Sequence, residues 1–528
     1  MDFASSFTLP ADMPCEAELL QLLTNAFKHH STLHRTKPAQ WLCFRLQIKL
    51  DDPWLFLPST AITNESFAAI NDEHGCLLAM GETTSKSFNG KNCWELAEKY
   101  YQTILQNIVI TKTNNQNSIN YNETPLILAG FGYNNYHDAH AITHLWQQWP
   151  DARIVLPKIS IWQPIVDKQD MPNCFCVLSI CLSLADFIAL PTPPTAKQLA
   201  KLANQLQHLI NSLLQRYDHL INKQLKYKKD KLDNNHCNSA KLKLEPLEDE
   251  RDFQKRVANA RAALQNKNID KIVLARAVSL HTPSEARFDV PATLLRLRAE
   301  YSHLTTIFAF SLNGDEVFIG ATPERLFTLT GKLIETHAIA GTIKRGEAID
   351  EDNSLGEKLL TSNKNRIEHE TVVTHLRMIL TPLCETLYID SSPQLCLLPQ
   401  MQHLETKVTG KLRDLINPIK LASQLHPTPA VCGWPIAEAN RWLCENETLA
   451  RGWYAGSLGY LYLNGNATFT VAIRSALVKK NVAYIFAGAG IVAQSDAQAE
   501  WQETELKLAT MRDSLMIVHQ QNDNLATS

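Results

Sequence analysis

The sequence predicts a mixed α+β protein with large, mainly antiparallel sheets. Two blocks of strand patterns, one in the first 190 residues and one after residue 250, are separated by a long amphipathic helix. Strands and helices do not alternate regularly, which argues against a parallel βαβ sheet. The blocks divide the chain into an N-terminal half, residues 1–250, and a C-terminal half, residues 251–528. The length of 528 residues alone is typical of two or three domains.

The first block is mostly strand and turn. The stretch from Trp41 to Leu57 alternates and breaks at Asp51-Asp52-Pro53, which predicts a hairpin. Apolar residues at helical spacing from Asn92 to Val109 predict a helix. The remaining segments read as strands: Leu126–Tyr133, Ala152–Leu156, Ile159–Trp162 and Val177–Leu184.

Pro191-Thr-Pro-Pro194 ends this block, and a leucine-rich stripe predicts one long helix over residues 196–230. The basic segment 223–231 is typical of a solvated helix end and connector, and only seldom of a partner-binding patch. We therefore expect a linker before the second block.

The second block opens with a predicted helix from Glu250 to Asn266. A further helix is predicted from about Gly356 to Leu380. The strand patterns of this block are Lys271–Leu280, Thr306–Leu312, Val317–Gly320 and Leu326–Thr330.

Composition limits the possible partners. With 51 basic and 54 acidic residues the formal charge is −3, which leaves no broad field for nucleic acid or an anionic membrane and favours a small-molecule substrate. Twelve cysteines without CxxC pairs predict reduced thiols and no zinc site. Met1 to Glu16 does not resemble a signal peptide, and no apolar stretch approaches transmembrane length, so we expect a cytoplasmic protein.

The most informative stretch lies near the C-terminus. A strand from Val482 runs into Ala-Gly-Ala-Gly490, whose small residues allow a ligand to approach the backbone, and Asp496 is positioned to cap the next helix. On that helix Glu500, Glu503 and Lys507 share one face. Carboxylates at this spacing suit Mg²⁺. For an isolated helix the commoner interpretation is a solvated face with a Glu–Lys pair, but the glycine strand favours a site.

Two other residues could carry acid–base chemistry. Lys271 begins a strongly apolar strand; such a lysine usually reaches water, but a desolvated one can act as a base near neutral pH. Glu324 follows Pro323 in a corner of small residues; it is either a surface turn residue or a carboxyl that stays protonated and serves as general acid.

Further segments could bind an anion or a metal. Gly341 and Thr342 end a strand in a turn that could receive a carboxylate, although a generic turn has the same pattern. Glu368, in Arg-Ile-Glu-His-Glu, is a better metal candidate than His369, because the pattern is not HExxH. Arg474 lies in an apolar segment predicted as a strand, where it needs a carboxylate partner.

Taken together, these segments resemble the chorismate-utilising enzymes, and most closely their isochorismate synthase branch. The motifs occur in the family's order and cover residues 250–515 strongly: KIVLAR (271–276), GATPERL (320–326), AGT (340–342), NRIEHE (365–370), LHPTPAVCG (425–433), AIR (472–474), FAGAGIV (486–492) and AEWQETELK (499–507). The resemblance implies one large domain with two antiparallel sheets packed face to face and helices outside, residues 251–528 being the chorismate-binding catalytic half.

The resemblance also implies roles for these residues. Lys271 would activate water for attack at C2 of chorismate, and Glu324 would protonate the departing C4 hydroxyl, a net isomerisation to isochorismate. The implied Mg²⁺ ligands are Glu368 and Glu503, with Glu500 binding directly or through water. The implied substrate-binding residues are Gly341, Thr342, His426, Ala430, Val431, Arg474, Gly488 and Lys507.

Differences between branches of the family narrow the choice. The residue before Gly341-Thr342 is Ala340, whereas aminodeoxychorismate synthases with a nucleophilic lysine carry it there; anthranilate synthases lack a lysine at the position of Lys271. Salicylate synthase, which goes on to eliminate pyruvate, remains the rival, and Ala430-Val431 favours isochorismate formation. A non-catalytic homologue is disfavoured because every expected group is present. The product would feed menaquinone, siderophore or salicylate synthesis, and we expect a monomer or weak homodimer.

Overall fold

Strands dominate the computed structural model of the protein. It describes residues 20–21, 23–24, 40–49, 53–57, 66–112, 124–133, 143–165, 175–184, 195–208, 211, 242–266, 268–284 and 286–519. The helices are α1 (Cys93–Asn107), α2 (196–208), α3 (Glu250–Asn266), α4 (Val290–Tyr301), α5 (Ile349–Thr361), α6 (Asn363–Leu383), α7 (Pro418–Leu425), α8 (Ile436–Asn446) and α9 (Ala497–Ser514).

The strands occur in the two predicted blocks. They are β1 (Trp41–Lys49), β2 (Phe67–Asn71), β3 (Gly75–Phe88), β4 (Ile108–Lys112), β5 (Pro125–Phe131), β6 (Ala152–Pro164), β7 (Phe175–Ser183), β8 (Lys243–Pro246), β9 (Lys271–His281), β10 (Ala286–Phe288), β11 (Thr306–Ser311), β12 (Glu316–Thr322), β13 (Arg325–Thr330), β14 (Leu333–Lys344), β15 (Cys384–Ile389), β16 (Gln394–Leu397), β17 (Met401–Leu412), β18 (Gly433–Trp434), β19 (Ser457–Tyr462), β20 (Ala467–Val471), β21 (Ser475–Lys479), β22 (Val482–Ile491) and β23 (Ile517–His519).

The strands form two ladders that share β6. The first runs β4–β1–β7–β6–β3–β2–β11–β12–β21–β22–β9, with β8 and β18 both pairing with β9. The second leaves β6 through β5, β19, β20, β13, β14 and β17, and β15 and β16 pair with β17. Within the described residues only the β1–β4 pairing is parallel. The predicted antiparallel α+β architecture is therefore confirmed.

Alternation along β2 shows how the ladders pack. Ala68 and Ile70 belong to a core shared with Leu128 of β5 and Tyr460 of β19. The intervening residue Ala69 belongs to a second core with side chains of helices α2, α4 and α9. Since successive strand residues face opposite sides, the first ladder has the second ladder on one face and helices on the other. The sheets lie face to face as predicted, but β6 joins them.

Three element predictions are wrong. The predicted hairpin does not form: Pro53 opens a 3-10 helix, and β1 pairs instead with β7 and β4. The two strands predicted on either side of Pro157 are one, because Pro157 lies opposite an irregularity in β3 near Glu82. The helix predicted over 356–380 is two helices, α5 and α6, and Ser362 caps the second by accepting a hydrogen bond from Asn365 N.

The remaining helices match the sequence patterns where they are described. Helix α1 and helix α3 lie where the apolar spacing predicts them. Residues 196–208 are helical and bury Leu199, Leu202 and Leu206 against the first ladder. The continuation of this predicted helix to residue 230 and the basic segment 223–231 lie outside the described residues. None of the described helices has the length and apolarity needed to cross a membrane.

Candidate active site

The neighbouring strands β9 and β22 place a lysine beside a glycine in the protein interior. Lys271, the first residue of β9, is fully buried, and its Nζ lies 2.9 Å from Glu368 Oε1. A Cβ atom on Gly490 would lie 2.6 Å from that same carboxylate oxygen and 2.8 Å from Lys271 Cε. Because real Cβ atoms essentially never approach other atoms this closely, the glycine makes room for the ion pair.

Glu324 is the buried acid of this region. It lies between β12 and β13, and its Oε1 accepts a 2.8 Å hydrogen bond from Thr428 Oγ1. Burial raises the pKa of Glu324 from its ordinary value of 4.5 to about 7, against the opposing effect of the Thr428 bond. The positive charges of Lys271, Arg474 and Lys507 also oppose the rise, in that order. Glu324 therefore retains its proton to near neutral pH.

Three carboxylates of the site each pair with a different lysine. Besides the Lys271–Glu368 pair, Lys364 Nζ lies 2.6 Å from Glu500 Oε1, and Lys507 Nζ lies 2.6 Å from Glu503 Oε1. Glu500 is almost completely buried, and the Lys364 ammonium interacts electrostatically with all three carboxylates. The predicted Glu–Lys pair forms on this helix face, and Glu500 on the same face pairs with Lys364 of α6. That the face belongs to a functional site stays a prediction.

The neighbouring charges shift the pKa values of Glu500 and Glu368 in opposite directions. Burial and then the Glu503 charge raise the pKa of Glu500, although Lys364 opposes them. Burial is the largest single effect on the pKa of Glu368 and acts to raise it, but Lys271, Lys507 and Lys364 together hold that pKa below its usual value. Glu368 is thus an anion at neutral pH.

The three carboxylates are the right type of ligand for a hard divalent cation, but their side chains are not arranged around one point. Oxygen ligands from Glu368, Glu500 and Glu503 are of the type that Mg²⁺ takes. Among the described residues, however, no three His, Cys, Asp or Glu side chains lie close enough together to hold one ion. Each carboxylate faces a lysine instead, so a cation would have to take the place of ammonium groups.

Helix α9 owes its position to an arginine of β9. Asp496 caps the helix by accepting a hydrogen bond from Ala499 N. Arg276 Nε donates to Thr504 Oγ1 at 2.7 Å, and its guanidinium lies 3.7 Å from the Trp501 ring centroid. The Leu508 and Met511 side chains are buried. These contacts hold α9 against β9, the strand that Lys271 begins.

Arg474 is held from behind by a histidine. Its Nη2 lies 3.2 Å from His403 Nε2 and 3.0 Å from Met401 Sδ. Burial and then the Arg474 charge lower the pKa of His403 to about 3, so the ring is neutral. His403 Nδ1 lies 3.0 Å from Gly341 O and 3.2 Å from Thr342 Oγ1, so it carries the proton and Nε2 faces the arginine.

Two backbone features near Arg474 differ from a regular strand. The sequence predicted Arg474 to lie in a strand, and this prediction is wrong. Arg474 lies between β20 and β21, and its φ is 49°. Gly341 has φ of 76° at an irregularity in β14 between Ala340 and Thr342, where a side chain would be strained. Such conformations cluster where a backbone is shaped for function.

Lys507 contacts both Glu503 and the glycine strand β22. Its Nζ donates to Gly488 O at 2.9 Å, and a Cβ atom on Gly488 would lie 3.1 Å from the Tyr454 hydroxyl. The Tyr454 hydroxyl also lies near Arg474 and Glu324, whose charges act on its pKa. Lys507 and Arg474 therefore both lie within electrostatic reach of Glu324.

Three predicted substrate-binding residues have their described contacts in the core. The His426 ring lies 5.9 Å from the Trp94 ring and 6.2 Å from the Tyr133 ring, between centroids. Val431 is buried, and its carbonyl accepts from Arg451. Ala430 packs against the core that lies between the two ladders. Their role in substrate binding stays a prediction.

The structure adds Lys364, Thr428 and His403 to the site. Lys364 lies four residues before Glu368, and this helical spacing could have identified it. Thr428 lies inside the quoted His-Pro-Thr-Pro segment, but only the fold reveals its bond to Glu324. His403 reaches the site through the β14–β17 pairing, for which the sequence offers no local signal.

Comparison with known proteins agrees with these motifs. Residues 25–516 match the chorismate binding enzyme family. The chain is 37% identical over 271 residues to the salicylate biosynthesis isochorismate synthase of Pseudomonas aeruginosa, covering 51% of this chain and 56% of that protein. It is 35% identical over 270 residues to isochorismate synthase MenF of Bacillus subtilis, with the same coverage. These matched stretches span little more than half of each relative.

The fold resembles a solved structure over nearly its whole length. The menaquinone-specific isochorismate synthase MenF from Escherichia coli aligns with a TM-score of 0.66 at 22% identity, over 94% of this chain and 100% of that one. The architecture described above is thus a known one. Since the family match also extends from residue 25 to residue 516, the chain belongs to the chorismate binding enzymes.

Proposed function

We propose that the protein is an isochorismate synthase that converts chorismate reversibly to isochorismate. The observation that carries the proposal is the presence of a buried lysine, Lys271, and a buried acid, Glu324, in one charge cluster. Glu324 retains its proton to about pH 7 and lies within electrostatic reach of Lys271. An acid and a base in separate environments are what proton transfer to a leaving group and from a nucleophile require.

In this reaction water adds at C2 and the C4 hydroxyl leaves. Lys271 takes a proton from the attacking water as the C2–O bond forms, the ring double bonds shift, and the C4–O bond breaks. Glu324 gives its proton to the departing hydroxyl, which leaves as water. One water enters and one leaves, so the net change is an isomerisation. Lys271 must lose its proton before each turnover, and the neighbouring Glu368 carboxylate fixes the position of its Nζ.

The site has cations for the carboxylates of the substrate. Arg474, Lys507 and the irregularity of β14 at Gly341 and Thr342 would bind the pyruvyl carboxylate, and His403 orients the arginine for this task. Charge-assisted hydrogen bonds of this kind combine affinity with orientation. Binding of a dianion also explains why so many positive groups are buried together.

Glu368, Glu500 and Glu503 would hold Mg²⁺. The bound cation would supply a positive charge that neutralises the ring carboxylate. Lys364 and Lys507, now paired with Glu500 and Glu503, would be released or shared with the substrate. Glu500 is almost completely buried, and the Lys364 ammonium 2.6 Å away balances its charge. A buried carboxylate without a cation is unfavourable, so the position supports a cation-binding role for Glu500.

Three observations favour this branch of the family. Ala340, rather than a lysine, precedes Gly341, which disfavours a covalent intermediate at that position. The two relatives described above are named as isochorismate synthases. The retained lysine at 271 supports attack by water rather than by ammonia.

Product analysis tests the proposal. Purified protein is incubated with chorismate and Mg²⁺ without ammonia, and isochorismate, salicylate and pyruvate are resolved by chromatography. We expect isochorismate at a reversible equilibrium with no pyruvate. Stoichiometric salicylate and pyruvate would assign the protein to the salicylate synthase branch, and no turnover of chorismate would reject both enzymatic functions.

A further inference from the structure

The backbone of the acid Glu324 is fixed independently of its side chain. Its N–H donates to Thr322 Oγ1 at 3.1 Å. Its carbonyl oxygen accepts from Val471 N at 2.9 Å and from Thr470 Oγ1 at 2.7 Å. These bonds hold the Cα of Glu324 in place but leave the carboxyl group free to rotate.

One hydroxyl fixes the carboxyl group itself. Thr428 Oγ1 donates to Glu324 Oε1 at 2.8 Å, and both residues are almost fully buried. Within the described part of the chain no donor is bonded to Oε2. The two oxygens of this carboxyl are therefore unequal before any substrate arrives.

The position of the Thr428 hydroxyl is itself determined by the strand that carries Lys271. The Thr428 carbonyl accepts from Val431 N and Cys432 N, which makes a tight turn. Arg451 donates to Val431 O at 2.6 Å and to Val273 O of β9 at 2.7 Å. The turn is thus hydrogen-bonded through one buried guanidinium to the base-bearing strand.

We propose that Thr428 is a positioning residue that determines which oxygen of Glu324 carries the transferable proton. A protonated carboxyl has one donor oxygen and one carbonyl oxygen, and the carbonyl oxygen is the better acceptor. Donation from Thr428 to Oε1 makes Oε1 the carbonyl oxygen and leaves the proton on Oε2. Oε2 then gives this proton to the departing C4 hydroxyl. This inference rests on the proposed role of Glu324 as general acid.

The test compares Thr428→Val, which keeps the shape and loses the donor, with Thr428→Ser, which keeps the donor. We expect the valine variant to lower kcat about 10- to 100-fold, because orientation of a proton donor accounts for effects of this order. KM for chorismate should change less than about threefold, since the hydroxyl contacts the acid and not the substrate. The Thr428→Ser variant should have a kcat within a few-fold of that of the unchanged protein.

The pH profile separates positioning from a merely structural role. Loss of the hydroxyl removes a bond that stabilises the ionised acid, so the alkaline limb of the kcat profile should move to higher pH in Thr428→Val and return in Thr428→Ser. Thr470→Val is the matched control, because its hydroxyl bonds to the Glu324 backbone and not to the carboxyl. It should leave the alkaline limb in place.

Several results would overturn the inference. These are a valine variant with kcat within twofold and an unmoved limb, a serine variant that fails to restore the limb, or a control that moves it equally. If Thr428→Val does not fold, Thr428→Ala takes its place in the comparison with Thr428→Ser. The position of the alkaline limb of the kcat profile is then judged by the same criteria. Failure of the proposed function is a different result, because the unchanged protein would then form no isochorismate.

Discussion

Replacement of Glu324 by glutamine should separate catalysis from stability at a single position. Glutamine keeps the shape and can still accept the Thr428 hydrogen bond, but it cannot give up a proton as an acid. We expect Glu324→Gln to lower kcat by about 100- to 10,000-fold, the range for loss of a positioned general acid.

The effect on stability follows from linkage. The folded-state pKa of Glu324, about 7, lies above its ordinary value of 4.5. The folded state therefore binds the proton more tightly, and its stabilisation by that proton is present below pH 4.5 and is lost as pH rises through about 7. The complete loss is worth roughly 3 kcal/mol, since one pKa unit corresponds to about 1.4 kcal/mol. Glutamine does not ionise and has no such loss.

The assay is urea-induced unfolding of both proteins at pH 5 and at pH 8. Every other titrating group is common to the two proteins, so the difference between them isolates Glu324. The free energy of unfolding of Glu324→Gln, relative to the unchanged protein, should rise by roughly 2–3 kcal/mol from pH 5 to pH 8. A relative stability that is the same at both pH values, or a glutamine variant with near-normal kcat, would refute a buried acid with a raised pKa.

The remaining predictions concern the lysines and the glycine strand. Lys271→Ala should abolish turnover while Mg²⁺ binding measured by calorimetry survives; retained turnover would remove this lysine from the mechanism. Gly490→Ala should lower kcat by at least about 100-fold, with the secondary structure retained by circular dichroism, because its methyl displaces the Glu368 pair; normal kcat would show that the pair is adaptable. Lys364→Met should destabilise the metal-free protein by about 3 kcal/mol at pH 8, because the buried Glu500 carboxylate loses its partner. Mg²⁺ should recover this loss; equal stability with and without Mg²⁺ would contradict it.

Local patterns predicted much of the site. The apolar run after Lys271, the small residues of β22 and the cap at Asp496 are short-range signals, and each element lies where the sequence places it. The spacing of Glu500 and Glu503 placed both on one face of α9. Such features depend on residues within two turns of one another, which is why the chain alone could reveal them.

Long-range packing was not predictable in the same way. β6 continues through Pro157 because β3 is irregular opposite it, and no pattern in β6 shows this. His403 reaches Arg474 only through the pairing of β14 with β17. The bond from Thr428 to Glu324 joins residues 104 positions apart. Pairings of this kind are set by the fold as a whole, and a sequence without an alignment does not contain them in readable form.

In the proposed reaction a solvent water, activated at Lys271, adds to C2 while Glu324 releases the C4 hydroxyl. Isotopic labelling tests it most directly. Chorismate is converted in ¹⁸O-labelled water with Mg²⁺, and the isochorismate formed at early time points is examined by mass spectrometry. We expect one solvent oxygen in each product molecule, located at the C2 hydroxyl. Isochorismate that retains only unlabelled oxygen would show direct transfer of the C4 hydroxyl within the substrate and would contradict the roles assigned to both residues.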